Sequence, residues 1–216
     1  MKSIVPSFLS ADFSKLESEI RAVEKGGAER FHLDVMDGNF VPNLTFGPII
    51  VEAIDKLTDA HLETHLMINS PMKYIDQFVE AGSDTIIIQV EASCDVRRDL
   101  DTIKSYGIKA GIVINPDTKF RKIEPYLDMI DHLLIMTVHP GFGGQDLIEE
   151  SLEKVKKAKA HSLKHDFLIE IDGGINLSTI DLGIEAGADL FVSGSAVFNG
   201  DNVEGNYKKL SDRLPE

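Results

Sequence analysis

The 216-residue chain has almost no sulfur chemistry to offer: its one cysteine, Cys94, excludes an intrachain disulfide and fits a reducing, cytoplasmic setting. Cys94 itself reads as an inert small side chain near a strand end. Basic residues are scarce, 22 Lys and Arg against 36 Asp and Glu, for a formal charge of −14. Like charge repels nucleic acid and anionic membranes, so neither is expected as a partner. An anionic substrate would have to be held by local donors against that field. No apolar run reaches the ~20 residues of a membrane span. The stretch after Met1-Lys-Ser3 is too short for a secretory leader and runs into Asp12. Low-complexity segments and long Pro/Gly/Ser linkers are also absent, so one domain is expected over residues 1–216.

What the chain does have is alternation. Short apolar runs at 3–9, 30–35, 61–67, 85–90, 109–114, 132–138, 167–172 and 189–193 read as strands. Longer amphipathic runs at 13–25, 47–58, 71–81, 96–106, 121–128, 146–160, 178–186 and 202–212 read as helices. Ser14 with Glu17 suggests a capping box, Pro48 and Pro71 suit first-turn positions, and Gly26-Gly27, Gly82, Gly107 and Gly187 mark ends. Eight β-then-α units in a chain this size favour an α/β fold of (β/α)8 TIM-barrel type, with an open doubly wound sheet as the alternative. In both, function sits at the C-terminal strand ends.

Four residues there have the chemistry of metal ligands: His32, Asp34, His65 and Asp172. His32 and Asp34 are two apart on a strand, so they share a face, while Phe31, Leu33 and Val35 take the other. A buried imidazole and carboxylate are costly unless paired or coordinated. Two imidazoles and two carboxylates neutralise one divalent cation, and the mixed donors suit Zn²⁺, Fe²⁺, Mn²⁺ or Co²⁺ better than Ca²⁺ or Mg²⁺. Glu63 and Glu170 precede His65 and Asp172 by two, so each should face inward one layer deeper and support a ligand.

Glycines follow three successive strands: Gly141, Gly143 and Gly144 around Phe142, then Gly173-Gly174, then Gly194-Ser195. Backbone N–H groups at such positions approach anions closely, and barrels often hold phosphate after strands seven and eight. Segments 137–146, 172–179 and 193–200 contain no Lys or Arg, so N–H groups would carry a phosphate. Met36, Met67 and Met136 recur at strand C-termini, either as core filler or as an apolar lining over a reacting carbon. His61, His132, His161 and His165 lack companions and read as surface or strand-edge residues.

The segments Pro6-Ser7-Phe-Leu-Ser-Ala-Asp12, His32-Leu-Asp34-Val-Met-Asp-Gly38, Val41-Pro-Asn43, His65-Leu-Met67, Ile114-Asn-Pro116, Met136-Thr-Val-His-Pro-Gly-Phe-Gly-Gly-Gln145, Asp172-Gly-Gly174 and Gly194-Ser-Ala196, in that order, closely resemble the ribulose-phosphate 3-epimerase family. The resemblance implies a (β/α)8 barrel, commonly a homo-oligomer, that interconverts ribulose 5-phosphate and xylulose 5-phosphate with one divalent metal ion, Zn²⁺ foremost. It matches His32, Asp34, His65 and Asp172 to metal ligands, Asp34 and Asp172 to an acid/base pair, and Ser7 to a substrate contact. Gly141 to Gly144, Gly173, Gly174, Gly194 and Ser195 match phosphate-side contacts. His65 and Asp172 are expected to touch substrate as well. The chemistry expected is removal of the proton beside a ketone through a metal-stabilised enediolate, with a carboxylate on each face. A hexulose-phosphate 3-epimerase acting on allulose 6-phosphate is the alternative. This chain departs from the family where it has Gln89 for a frequent His, His139 for Asn, Asp or Glu, and Lys119 for Pro.

Overall fold

A computed structural model describes residues 2–215. Eight strands, β1 (Ser3–Pro6), β2 (Arg30–Met36), β3 (His61–Met67), β4 (Thr85–Gln89), β5 (Lys109–Ile114), β6 (His132–Met136), β7 (Leu168–Asp172) and β8 (Leu190–Ser193), form one parallel sheet. Its order is β1-β8-β7-β6-β5-β4-β3-β2, and a parallel bridge between Ser7 and His32 joins the two ends, so the sheet curls into a (β/α)8 barrel. The helices are α1 (Leu16–Gly26), α2 (Pro48–Asp55), α3 (Ile75–Glu80), α4 (Val96–Ser105), α5 (Leu152–Ser162), α6 (Ile180–Ala186), α7 (Ser195–Phe198) and α8 (Val203–Ser211). Among the described residues no helix is long and apolar enough to cross a membrane.

The alternation of side chains explains the layers. Phe31, Leu33 and Val35 of β2, Leu62 and Leu66 of β3, and Ile86 and Ile88 of β4 point outward and join the main core under the helices. Inside the barrel, β4 to β6 contribute Ile87, Val113, Leu134 and Met136, while Val5, Leu190 and Val192 close the β1–β8 side. The inward positions of β2, β3 and β7 hold instead His32, Asp34, Glu63, His65 and Glu170, all buried.

Several expected boundaries differ for local reasons. The first strand stops at Pro6, because the Ser7 side chain accepts from Leu9 N and starts a 3-10 turn over Phe8–Ser10. Asp12, not Ser14, caps the next turn by accepting from Ser14 N, and α1 begins at Leu16, so the capping box is not formed. The helix expected over 121–128 is two 3-10 turns, Phe120–Lys122 and Glu124–Tyr126, since Pro125 offers no N–H to a helical ladder. The run from 146 becomes helical only at Leu152, after a 3-10 turn at Glu149–Ser151. An unexpected short helix, α7, follows β8 directly, with Gly194 at its N-cap. Pro48 opens α2 as expected.

Candidate active site

The parallel register of β2 on β3 sets Asp34 beside His65 and His32 beside Glu63. Two inward layers of ionisable groups result, one above the other. In the upper layer, ligand-type atoms of His32, Asp34, His65 and Asp172 all lie within 4.8 Å of one another. His65 Nδ1 is 3.1 Å from Asp34 Oδ1. His32 Nε2 is 3.3 Å from Asp34 Oδ1 and 3.9 Å from Asp172 Oδ2. All four residues singled out in the sequence thus meet, from three strands.

The lower layer orients the upper one. His32 Nδ1 is hydrogen-bonded to Glu63 Oε1 at 2.8 Å, which turns Nε2 toward the cluster. Arg30 Nη1 donates to the other Glu63 oxygen at 2.9 Å. Both Glu63 and Glu170 are fully buried, as their sequence positions imply. His132, expected at a surface or strand edge, is instead buried with Nε2 2.7 Å from Glu170 Oε2. The signal for it lay in Gly111 on the neighbouring strand: a Cβ there would come 3.1 Å from His132 Cβ, so glycine makes the room.

Charge is distributed unevenly through this column. Burial opposes ionisation of Asp34, but the adjacent His32 and the hydrogen bonds from His32 and His65 outweigh it and hold its carboxyl well below the usual range. Asp172 is pushed up to about 7, first by burial and then by the charge of Asp34. Burial opposes Glu63 ionisation too, yet His32 and Glu170 hold it in its charged form, while burial and Glu63 push Glu170 up toward the neutral acid. Two carboxylates that repel each other, Asp34 buried and Asp172 partly buried, beside two converging imidazole nitrogens are the donor set a divalent cation satisfies. The residues present therefore fit a single metal ion, with His32, Asp34, His65 and Asp172 able to hold it.

Above the cluster opens a cavity of about 150 Å³. Ser7, Asp34 and Asp172 border it, and Ser7 Oγ donates to Asp34 Oδ2 at 2.6 Å. Met36, Met67 and Met136 are at most 4% exposed yet line the same space, so they are at once core filler and lining. The far wall is built by the glycine loops at Gly141 to Gly144, Gly173-Gly174 and Gly194-Ser195, with Phe142 half exposed at the rim. Side chains fix these loops: Thr137 Oγ1 donates to Gly173 O at 2.6 Å, Thr179 Oγ1 to Gly174 O at 2.6 Å, and Asn43 Nδ2 to Gly141 O at 2.6 Å. Gly174 has φ +71°, and a Cβ on it would run into the backbone nitrogen of Leu147, so only glycine fits this close approach.

Sequence reasoning left out Ser10, Gln145 and Asp37. Ser10 borders the cavity, and Gln145 Nε2 ties His139 O to Phe142 O, both at 2.8 Å. Asp37 organises the rim by accepting from the N–H groups of Asn39, Phe40 and Asn69, joining the β2 and β3 loops. The Asp-Gly pair after β2 was its visible signal. His139 lies away from the cavity wall, exposed and 3.7 Å from Asp117.

The fold and site define a (β/α)8 barrel with a His/Asp cluster able to hold a metal under a glycine-walled cavity, and comparison with known proteins gives its family. The model of the ribulose-phosphate 3 epimerase family matches residues 3–198, and the chain belongs to that family. It is 51% identical over 201 residues to the ribulose-phosphate 3-epimerase of Bacillus subtilis (strain 168), covering 92% of this chain and 93% of that one. It is 48% identical over 203 residues to the enzyme of the same name from Synechocystis sp., covering 92% and 88%. Among solved structures, KGPDC from Streptococcus mutans has the same fold, with a TM-score of 0.71 over 98% of this chain and 96% of that one at 17% identity.

Proposed function

We propose that this protein is a metal-dependent ribulose-phosphate 3-epimerase that inverts C3 of D-ribulose 5-phosphate to give D-xylulose 5-phosphate, reversibly. The observation that carries this reading is the pair of carboxylates, Asp34 on β2 and Asp172 on β7, entering one donor cluster from different strands at the floor of a glycine-walled cavity. A divalent ion held by His32, Asp34, His65 and Asp172, with Zn²⁺ the first candidate and Fe²⁺, Mn²⁺ or Co²⁺ the others, would act as a Lewis acid toward the ketone and its neighbouring hydroxyl. Asp34 and Asp172 each have one oxygen for that cluster and one for a proton. With substrate between them, one removes the C3 proton and the other delivers a proton to the opposite face, and the roles exchange with the direction of reaction.

Ser7 holds Asp34 Oδ2 and so fixes the aim of that carboxylate. The three methionines exclude water from the reacting carbon. Backbone N–H groups around Gly141 to Gly144, Gly173, Gly174, Gly194 and Ser195 take the phosphate, which suits a protein of charge −14 with no Lys or Arg in those segments. The lone exposed Cys94 supports a reducing cytosolic setting. A homo-oligomer, as the family resemblance implies, is the state that light scattering of the purified protein would report.

A coupled epimerase assay run on ribulose 5-phosphate with and without chelator, with metal analysis of the active fraction, tests the reading. Turnover that is abolished by chelation and restored by one divalent metal is the expected result. Chelator-insensitive turnover would remove the metal from the proposal, and faster turnover of allulose 6-phosphate would replace the substrate.

A further inference from the structure

The two imidazoles of the cluster are supported differently. His32 has the Glu63 carboxylate on its outer nitrogen, a strong acceptor that admits only one tautomer. Behind His65 stands Gln89, at the end of β4 and fully buried. Gln89 Nε2 lies 3.0 Å from His65 Nε2, while Gln89 Oε1 has no hydrogen-bond partner among the described residues. His65 Nδ1, near Asp34 Oδ1 at 3.1 Å and His32 Nε2 at 3.4 Å, is the nitrogen that faces the cluster.

An imidazole ligates through a bare nitrogen, so ligation by Nδ1 puts the ring proton on Nε2, where it needs an acceptor. A buried amide oxygen without a donor is itself unfavourable. A half-turn of the Gln89 amide exchanges its oxygen and nitrogen with almost no change of shape and resolves both at once: Oε1 then faces the Nε2–H. We infer that Gln89 is a positioning residue whose side-chain carbonyl accepts the His65 Nε2–H and so fixes the tautomer that leaves Nδ1 free for the metal. This rests on the metal-dependent reading above. It also makes the cluster asymmetric, with an anionic acceptor behind His32 and a neutral one behind His65.

Two measurements on the full chain test it: calorimetric Zn²⁺ titration of metal-stripped protein, and nitrogen NMR of the histidine rings in the Zn²⁺-loaded protein. The comparison is wild type against Gln89→Leu, which removes the acceptor, and Gln89→Glu, which keeps only acceptors. Loaded wild type should show the His65 proton on Nε2. Gln89→Leu should bind Zn²⁺ about 10–100-fold more weakly with a circular-dichroism spectrum like wild type, whereas Gln89→Glu should bind at least as tightly as wild type. A proton on Nδ1 in loaded wild type, or a Gln89→Leu affinity within about threefold of wild type, overturns the assignment against the loss expected for such a support. Should the Leu variant fail to fold, the wild-type tautomer and the Glu variant still decide, and a Glu variant weaker by about tenfold overturns it. Wild type that binds no divalent metal removes the metal reading and this inference together; wild type that binds tightly alongside an equally tight Leu variant removes only the role of Gln89.

Discussion

Replacing Asp34 or Asp172 singly by Asn probes the two-carboxylate reaction most sharply, because the amide keeps the shape and one oxygen but cannot take a proton. At Asp34 the structure can absorb the change. Oδ1 has His65 Nδ1 at 3.1 Å, and Oδ2 accepts from Ser7 Oγ at 2.6 Å. In Asp34→Asn the amide can keep its oxygen toward the imidazoles and turn its NH₂ to Ser7, whose hydroxyl accepts as readily as it donates. The fold should therefore survive while the proton chemistry does not. General acid or base catalysis contributes about 10²–10⁴-fold, or roughly 3–5.5 kcal/mol of barrier. Each variant should lose at least that much epimerisation.

The more telling readout is exchange of the C3 hydrogen with deuterated solvent, followed by NMR for each pentulose phosphate separately. With one carboxylate left, the enzyme can still remove a proton from the face that carboxylate addresses and return a deuteron there, without inversion. Asp34→Asn and Asp172→Asn should thus each exchange one epimer, and not the same one. Exchange of the same epimer by both variants, or epimerisation near the wild-type rate in either, would refute the reasoning.

Gly174→Ala should destabilise the protein by about 1–3 kcal/mol in urea denaturation, since its φ of +71° and the close approach of Leu147 N both exclude a Cβ. It should raise KM for the phosphosugar more than it lowers kcat; wild-type stability and KM would contradict that. Inorganic phosphate should inhibit competitively, with Ki changing by less than about threefold over salt concentrations that screen exposed ion pairs, because the phosphate wall has no Lys or Arg. A steep salt dependence would point to a side-chain cation instead. Burial pulls His132 from 6.5 down to about 4, so it stays neutral in the folded protein while the unfolded chain takes up a proton as pH falls. Stability should accordingly drop as pH goes from 6.5 toward 4, by up to about 3 kcal/mol from this group. His132→Gln should flatten that acid limb in urea titrations, and equal slopes would refute the assignment.

The repeating β-then-α pattern was legible because the outward strand faces are largely apolar, as in Phe31, Leu33 and Val35, and pack under helices. The upper donor layer was legible for the complementary reason: His32, Asp34, His65 and Asp172 break an apolar register at strand ends, where a core would hold Val or Leu. Parity then reached Glu63 and Glu170. It did not reach His132, whose strand reads His132-Leu-Leu-Ile-Met136 with one polar residue at its start, as any solvent-facing strand end would. Burial of His132 follows from Gly111 on the next strand, and register between strands is not written in either sequence alone. The helix expected over 121–128 failed where Pro125 was under-weighted against periodicity.

The polar column also explains why the site occupies one side of the barrel. Arg30, Glu63, His32 and Asp34 stack on β2 and β3, and Glu170 and Asp172 answer from β7, while β4 to β6 fill the remaining interior with Ile87, Val113 and Leu134. Buried charge needs a chain of partners, and that chain begins at Arg30, whose side chain is 20% exposed. Through Glu63 this guanidinium fixes the orientation of His32, so a residue at the N-terminal end of the barrel sets the geometry of a site at the C-terminal end. Conservative replacement of Glu63 by Gln would keep the packing but leave the His32 Nδ1–H facing a neutral acceptor, as Gln89 is inferred to be for His65. The asymmetry between the two imidazoles is thus built from the floor upward.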